Sequence, residues 1–143
     1  MIQRIQSVYL LVSIVISSLL LVVPIYEFQP GTPDGGEIRS FTITSNAFLA
    51  LLNGAIGLLS LIAIFFYKKR NMQIRICNLG LLLTCVLIGL LFFMADTMSE
   101  NANQKVHYLY GSYLPLIQIL FIFLATRAVK KDEDLVRSAD RLR

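Results

Sequence analysis

The sequence predicts an all-α membrane protein in which four transmembrane helices form an antiparallel bundle. Three observations predict it: four apolar runs without a charged residue, a small charged fraction, and basic residues that cluster beside the runs. Each run holds about 20 residues, which at about 1.5 Å per residue covers the roughly 30 Å hydrocarbon core of a bilayer. The runs cover residues 7–26, 47–67, 76–95 and 108–126, and the spans are expected at about residues 7–26, 47–67, 76–95 and 108–128.

The composition argues against a soluble domain. Hydrophobic residues make up 56% of the 143 residues and charged residues only 15%, whereas a soluble domain usually carries about 25% charged residues. The segments between the runs are all shorter than the roughly 40 residues below which domains rarely fold without disulfides or metals. We therefore expect one transmembrane domain over residues 1–131 and a charged, helical cytoplasmic tail over residues 132–143.

The distribution of basic residues predicts the orientation. With four spans, the N-terminus, the 68–75 loop and the C-terminal tail share one side of the membrane, and they hold every Lys and Arg except Arg39 and Lys105. Basic residues mark the cytoplasmic side, so both termini are expected in the cytoplasm. Because these charges lie beside the runs, they favour anionic lipid headgroups as a partner and not nucleic acid. The first run is longer than a signal-peptide core and lacks a small-x-small cleavage site, which favours a retained span.

The second run carries a stripe of small and amide residues. Ala50, Asn53, Gly57 and Ser60 recur at steps of three or four, which places them on one face of a helix. Small residues let two membrane helices approach closely, so the stripe predicts a helix-packing face. Asn53 lies deepest in the span and is interpreted as a packing contact, with a ligand contact as the alternative.

Three further polar residues are expected inside the bundle. Ser13 and Ser17 are four residues apart and share a face of the first span, and Gln118 lies deep in the fourth span. A polar side chain in hydrocarbon needs a hydrogen-bond partner. We therefore expect the serine face to point inward, and we expect Gln118 to pair with Asn53 or with a serine of another helix.

The two outer segments carry different signals. The segment 27–46 has a dense cluster of Pro and Gly at 30–36 between short apolar stretches, which is compatible with a short β-hairpin or with an irregular loop. The segment 96–107 is polar and is expected to be a solvated loop. It contains His107, the single histidine, whereas a metal site normally needs three or four ligands. Neither a metal nor another cofactor is therefore expected.

The C-terminal tail is expected to continue the fourth helix into the cytoplasm. Glu133 and Arg137 form a favourable i,i+4 pair, which indicates a helix. A solvated amphipathic helix near the headgroups explains the tail, and a docking site for a partner protein or a second copy is the alternative. The candidate partner contacts at this face are Arg4, Lys131, Asp132, Glu133, Arg137, Asp140 and Arg141.

The two ends of the chain also carry a family resemblance. Residues 1–10 (MIQRIQSVYL), together with Arg127, 131–133 (KDE), 135–138 (LVRS) and 140–143 (DRLR), resemble the domain of unknown function 4293 family, small four-span proteins of Bacteroidetes. The resemblance extends over the whole chain, and the terminal motifs are its specific part. It implies a bacterial inner-membrane protein with no assigned activity and no catalytic residues to carry over. It also favours the interpretation that the two cytoplasmic ends of the chain contact another molecule or segment.

These observations favour a non-enzymatic accessory, scaffold or assembly component of a membrane complex, with a membrane-protein partner or a second copy of the chain as its contact. No Asp, Glu, His, Lys or Arg lies inside the four runs, whereas proton and ion pathways usually contain such a residue. The sequence has no CxxC pair and no HExxH cluster, so no catalytic residue is expected. The alternative is a small transporter or channel for an uncharged solute that acts as an oligomer, with a path along Asn53 and Gln118.

Overall fold

The computed structural model describes residues 3–29, 39–102 and 105–141. Within these ranges the chain forms four helices and one small sheet, which confirms the expected helical fold. The helices are α1 (Gln3–Leu20), α2 (Ala47–Phe65), α3 (Arg70–Ala102) and α4 (Leu114–Arg141). The strands are β1 (Tyr26–Gln29), β2 (Arg39–Phe41) and β3 (Lys105–Tyr108).

Three stretches of helix are long and apolar enough to cross a membrane, and they lie at Ala47–Phe65, Arg70–Ser99 and Tyr110–Leu135. The apolar stretch of α1, Ile5–Leu20, is shorter. Large apolar side chains also cover the outside of the bundle. On the four helices in turn, side chains more than half exposed include Val8, Leu51, Leu82 and Leu120. Soluble monomers rarely expose so much apolar surface, and both observations are those expected of a membrane protein.

The first helix ends earlier than the sequence predicts. Its last turn closes with hydrogen bonds from the Val22 and Val23 amides to the Leu19 carbonyl, at 3.0 and 2.9 Å. Pro24 then has no amide hydrogen to continue the helix, and its ring disfavours a helical conformation at the preceding residue. Tyr26, expected at the end of the span, instead begins β1.

The charged segment between the second and third spans is mostly helix and not loop. A single 3-10 turn, Phe66–Lys68, follows α2, and α3 already begins at Arg70. The 68–75 loop of the sequence prediction is therefore wrong over most of its length. Arg, Lys, Gln and Met are good helix formers. The first charged residue therefore shows where the apolar run ends, but the helix does not have to end there.

The third helix also extends beyond the predicted boundary at residue 95, to Ala102, because polar and charged residues end an apolar run but are compatible with a helix. The fourth helix begins later than predicted, because Tyr108 lies in β3 and a 3-10 turn, Tyr110–Tyr113, precedes Leu114. Pro115 stands in the first turn of α4, where a missing amide hydrogen leaves no helix bond unmade. The helix then continues into the charged tail without interruption, as expected.

The sheet has the order β2-β1-β3, and both pairings are antiparallel. The β1–β2 pair confirms the hairpin alternative for the first outer segment. The third strand is a correction, because His107 and its neighbours form β3 instead of a solvated loop. Tyr26 lies opposite Phe41 on one side and opposite Tyr108 on the other. A strand that pairs with a partner some 80 residues away in sequence leaves little local signal.

The helices form a ring in which α1 and α3 each pack against α2 and α4. Four fully buried side chains, one from each helix, belong to the apolar core: Leu10, Ile56, Leu87 and Ile122. Gln6 and Arg70 both contact Asp132, so the start of α1, the start of α3 and the late part of α4 lie at one end of the bundle. The sheet lies at the opposite end, against the start of α4.

Candidate functional site

A buried polar contact joins α1 to α2. The Ser17 hydroxyl lies 3.0 Å from the Asn53 carbonyl oxygen and 3.1 Å from Asn53 Oδ1, and can donate to either. Asn53 Nδ2 donates to the Ser17 carbonyl oxygen at 2.9 Å. Both side chains are buried. The amide predicted to lie deepest in the second span is thus bonded within the bundle.

A second contact lies closer to the Asp132 end, one turn away along α1 and two turns away along α2. The hydroxyls of Ser13 and Ser60 are 3.3 Å apart, and Ser60 Oγ is 3.0 Å from the Ile56 carbonyl oxygen. When Ser60 Oγ donates its proton to the Ile56 carbonyl oxygen, Ser13 Oγ is the donor in the hydrogen bond between the two hydroxyls. Between the two contacts, a Cβ added to Gly57 would lie 2.8 Å from Ser17 Oγ. Glycine here permits the close approach of the two helices.

The predicted stripe therefore lies against α1 at three of its four positions, Asn53, Gly57 and Ser60. Ala50, the fourth, is partly buried and packs on the apolar core. The two serines predicted to face inward, Ser13 and Ser17, are both buried.

Gln118 reaches the same seam from α4. Its Nε2 lies 3.5 Å from the Ser13 carbonyl oxygen, a long hydrogen bond to a serine of another helix, and Asn53 is not its partner. Its Oε1 is buried without a hydrogen-bond partner among the described residues. A buried acceptor without a donor is costly and uncommon in folded proteins.

A polar cluster closes the end of the bundle where the chain begins. Asp132 Oδ2 accepts a hydrogen bond from Gln6 Nε2 at 3.3 Å and lies 3.6 Å from Arg70 Nη2. Gln73, one turn further along α3, is also buried. Sequence reasoning missed Gln6, Arg70 and Gln73. The available signal was the pair of terminal motifs, because Gln6 belongs to one and Asp132 to the other.

The expected partner contacts divide into three groups. Asp132 is 8% exposed and serves the internal contact just described. Lys131 is exposed and Glu133 is partly exposed. The side chains of Arg4, Arg137, Asp140 and Arg141 lie outside the described part of the structure. Exposed basic side chains surround this end, and they include Lys69, Arg75, Arg127, Lys130 and Lys131.

The opposite end is organised around Tyr26, whose importance the sequence did not reveal. Its ring stacks on Phe41, with centroids 4.6 Å apart, and meets Phe28 and Tyr108 edge-on at 5.3 and 6.5 Å. The side chain is fully buried, and its hydroxyl has no partner among the described residues. Burial, with a smaller contribution from the neighbouring Tyr108, raises the pKa of Tyr26 to about 12.

The sheet is held to the start of α4 by backbone contacts. The Leu109 amide donates to the Ile25 carbonyl oxygen at 2.9 Å, and the Ile25 amide donates to the Phe41 carbonyl oxygen at 2.8 Å. A Cβ on Gly111 would overlap the Pro24 carbonyl oxygen, so a residue without a side chain is required there.

His107 is exposed on β3, opposite Glu27 of β1. Over the described ranges, no group of three or more His, Cys, Asp or Glu side chains is placed to hold a metal ion.

Comparison with known protein families matches residues 2–142 to the family described as Domain of unknown function (DUF4293). The match covers nearly the whole chain and includes both terminal motifs. No curated protein and no solved structure matches the chain.

Proposed function

The chain belongs to the DUF4293 family, and we propose that it is a four-span protein of the bacterial inner membrane with both ends in the cytoplasm. We propose further that it works without catalysis, as an accessory, scaffold or assembly component of a membrane complex. Its partner is another membrane protein or a second copy of the chain.

The length of the first segment supports a fourth span. Gln6 contacts Asp132 at one end of the bundle, and the Ile25 carbonyl accepts from Leu109 at the other. Residues 6–25 thus run between the same two levels as residues 109–132 of the fourth segment. That fourth segment contains a stretch long and apolar enough to cross a membrane.

The observation that carries the proposed role is the projection of α4 beyond the bundle. Arg70, the first residue of α3, lies level with Asp132, whereas α4 continues to Arg141. Nine further residues add about 13 Å of helix. Asp134 and Leu135 are exposed on this extension, and Lys130 and Lys131 are exposed at its base. Exposed charges of both signs on a projecting helix suit electrostatic contact with a partner protein at the membrane surface.

The hydrogen bonds inside the bundle are consistent with a structural role, in which the bundle holds the projecting end of α4 in place. The side chains of Ser13, Ser17, Asn53 and Ser60 all bond to one another or to backbone carbonyls of the bundle. Polar groups used in this way hold neighbouring helices in register.

The test compares the full chain with a variant that lacks residues 135–143, which removes the extension but keeps Asp132 and its contacts. Both proteins are purified in mild detergent from cells that express them at equal levels. A stoichiometric companion that accompanies the full chain and is lost from the truncated protein supports the proposal. Arg39→Ala, a charge change at the opposite end, is the matched control and should retain the companion.

Two results contradict this role. One is a truncated protein that retains the companion, and the other is a full chain that purifies alone as a single copy. Equal thermal melting of the full and truncated proteins is required for either reading, because the truncation must not disturb the bundle.

One observation favours the transporter alternative, namely the buried Gln118 Oε1, which has no hydrogen-bond partner among the described residues. A polar oxygen of this kind could bind a passing hydroxyl group. Vesicles that contain the protein should then admit glycerol faster than empty vesicles, and Gln118→Leu should remove the difference. Equal permeability of the two kinds of vesicle excludes this function for glycerol-sized solutes.

A further inference from the structure

A recess opens between α3 and α4, directly beneath β1. Its walls include Tyr26, Ile88, Leu91, Phe92, Tyr108 and Pro115. The recess and its open mouth together measure about 260 Å³, and the closed part has room for about one water-sized group. The rings of Phe92 and Tyr108, with centroids 5.7 Å apart, form one wall.

Tyr26 is the unexplained member of this lining. Its hydroxyl is buried and has no partner among the described residues, and its ring cannot easily turn away because aromatic rings pack on three of its sides. Ser112 also lines the recess, and its hydroxyl already donates to the Leu109 carbonyl oxygen at 2.6 Å. A phenol that is held in place without an acceptor is ready to donate a hydrogen bond to a ligand.

We propose that this recess binds the carbonyl end of an apolar, lipid-soluble molecule, and that the Tyr26 hydroxyl donates a hydrogen bond to the carbonyl oxygen. This inference rests on the recess alone and does not depend on the proposed function.

The lining determines the charge of the ligand. Among the described residues no charged side chain lines the recess, so an ionised group would enter without a counterion from them and at a large desolvation cost. A neutral carbonyl has the required acceptor and no charge. It also fits the closed part, which holds a single small group, while the rest of the molecule lies in the mouth.

The position of the recess determines where the ligand comes from. Ile88 is 18 residues beyond Arg70 on α3, so the recess lies about 27 Å from the basic end, near the opposite surface of the bilayer. Tyr108, Tyr110 and Tyr113 are exposed at this level, as tyrosines are at a membrane interface. The ester carbonyls of glycerolipids lie at that depth, and the carbonyls of an isoprenoid quinone can reach it. Both molecules offer the same chemistry.

The experiment uses the full chain, purified and stripped of lipid in detergent. Three probes are added separately: a diacyl phosphatidylethanolamine, its diether analogue without ester carbonyls, and an isoprenoid quinone. Binding is measured by native mass spectrometry and by the rise in melting temperature. The ester lipid or the quinone should bind to the wild-type protein. If the ligand is a lipid ester, the ester lipid should bind about tenfold tighter than the diether, which is the effect of one hydrogen bond.

The variants identify the residue responsible. Tyr26→Phe keeps the ring and should weaken binding of the carbonyl probe about tenfold, while the probe-free protein melts no lower than wild type. Tyr113→Phe, an exposed tyrosine outside the recess, is the matched control and should bind normally. Ile88→Trp fills the recess and should abolish binding with the Tyr26 hydroxyl intact, which provides a second test should Tyr26→Phe fold poorly.

The possible outcomes distinguish a lipid ester from a quinone as the ligand, and they also show when the proposal is wrong. A preference for the ester over the diether that disappears in Tyr26→Phe identifies a lipid ester, and a Tyr26-dependent response to the quinone alone identifies a quinone. The proposal is overturned if no probe binds to the wild-type protein. It is equally overturned if the bound probe is retained unchanged by Tyr26→Phe or by Ile88→Trp.

Discussion

The hydrogen bonds between Ser17 and Asn53 have more effect on the register of α1 and α2 than on the stability of the bundle. Such contacts in membrane proteins contribute on average only about 0.6 kcal/mol each, because the separated helices also find partners. A slip of one residue between the helices, however, would move Asn53 away from both the hydroxyl and the carbonyl of Ser17. The pair therefore selects one alignment among several of similar apolar burial.

Gly57 should be sensitive to substitution and its neighbour Gly54 should not. A Cβ at Gly57 would lie 2.8 Å from Ser17 Oγ, whereas nothing lies within 4 Å of a Cβ at Gly54. We expect Gly57→Ala to lower the free energy of unfolding by about 1–2 kcal/mol through overpacking. Gly54→Ala should be neutral or stabilising, because alanine is the better helix former. Reversible unfolding in mixed detergent micelles measures both, and equal melting of the two variants would contradict the close contact.

Tyr26 should give the protein an alkaline sensitivity. Its pKa rises from 10.0 to about 12 on folding, so the folded state holds the proton more tightly than the unfolded state. The stability linked to this proton is complete below pH 10 and is lost as the pH rises through 12. The melting temperature of the wild-type protein should fall more steeply over that interval than that of Tyr26→Phe. Parallel pH profiles would show that the Tyr26 hydroxyl is not buried.

At the scale of elements, Asp132 joins three helices at the end where the chain begins. Its carboxylate accepts from Gln6 of α1 and pairs with Arg70 of α3. The two terminal motifs that resemble the family are therefore in contact with each other, although Gln6 and Asp132 are 126 residues apart in sequence. A contact within the chain therefore explains at least part of why these two motifs carry the residues that they do.

Asp132→Ala should destabilise the bundle, and Asp134→Ala should not. The first substitution leaves the buried Gln6 amide without its acceptor and Arg70 without its partner, a loss of about 1–3 kcal/mol. Asp134 is exposed on the same helix and provides the matched control. Thermal melting in detergent measures both variants. If Asp132→Ala and Asp134→Ala melt at the same temperature, the cluster does not hold the three helices together.

Helix ends and membrane boundaries differ in this chain for a physical reason. The apolar runs end at charged residues because charge is costly in hydrocarbon, but α3 begins at Arg70 and continues to Ala102 because charged residues are compatible with a helix. At Pro24 the opposite holds, since the backbone cannot continue the helix although the sequence stays apolar. Periodicity and hydropathy therefore predict the apolar runs, but they do not predict the residues at which the helices begin and end. Tyr26 and Tyr108, which lie in strands and not in helices, are examples.

At the scale of the whole molecule, the exposed charges predict how the bundle inserts. Lys69, Arg75, Arg127, Lys130 and Lys131 are all exposed at the end that holds Asp132. Reporter proteins fused after Lys69 and at residue 143 should therefore give cytoplasmic signals, and a reporter inserted between Gln29 and Arg39 should give an external one. An external signal from either of the first two fusions would contradict both the orientation and the four-span topology.

The sequence by itself determined the properties that depend on the solvent and on helical periodicity. A bilayer requires long apolar helices, so the membrane class was readable from composition and run length. Spacing alone placed Ser13, Ser17, Asn53 and Ser60 on faces that the structure finds buried. Only the tertiary structure decided that Asp132 contacts Gln6 and Arg70, that β3 joins β1, and that the Tyr26 hydroxyl has no acceptor among the described residues. These features depend on contacts between residues far apart in the chain, and such contacts leave no regular pattern in the sequence around either partner.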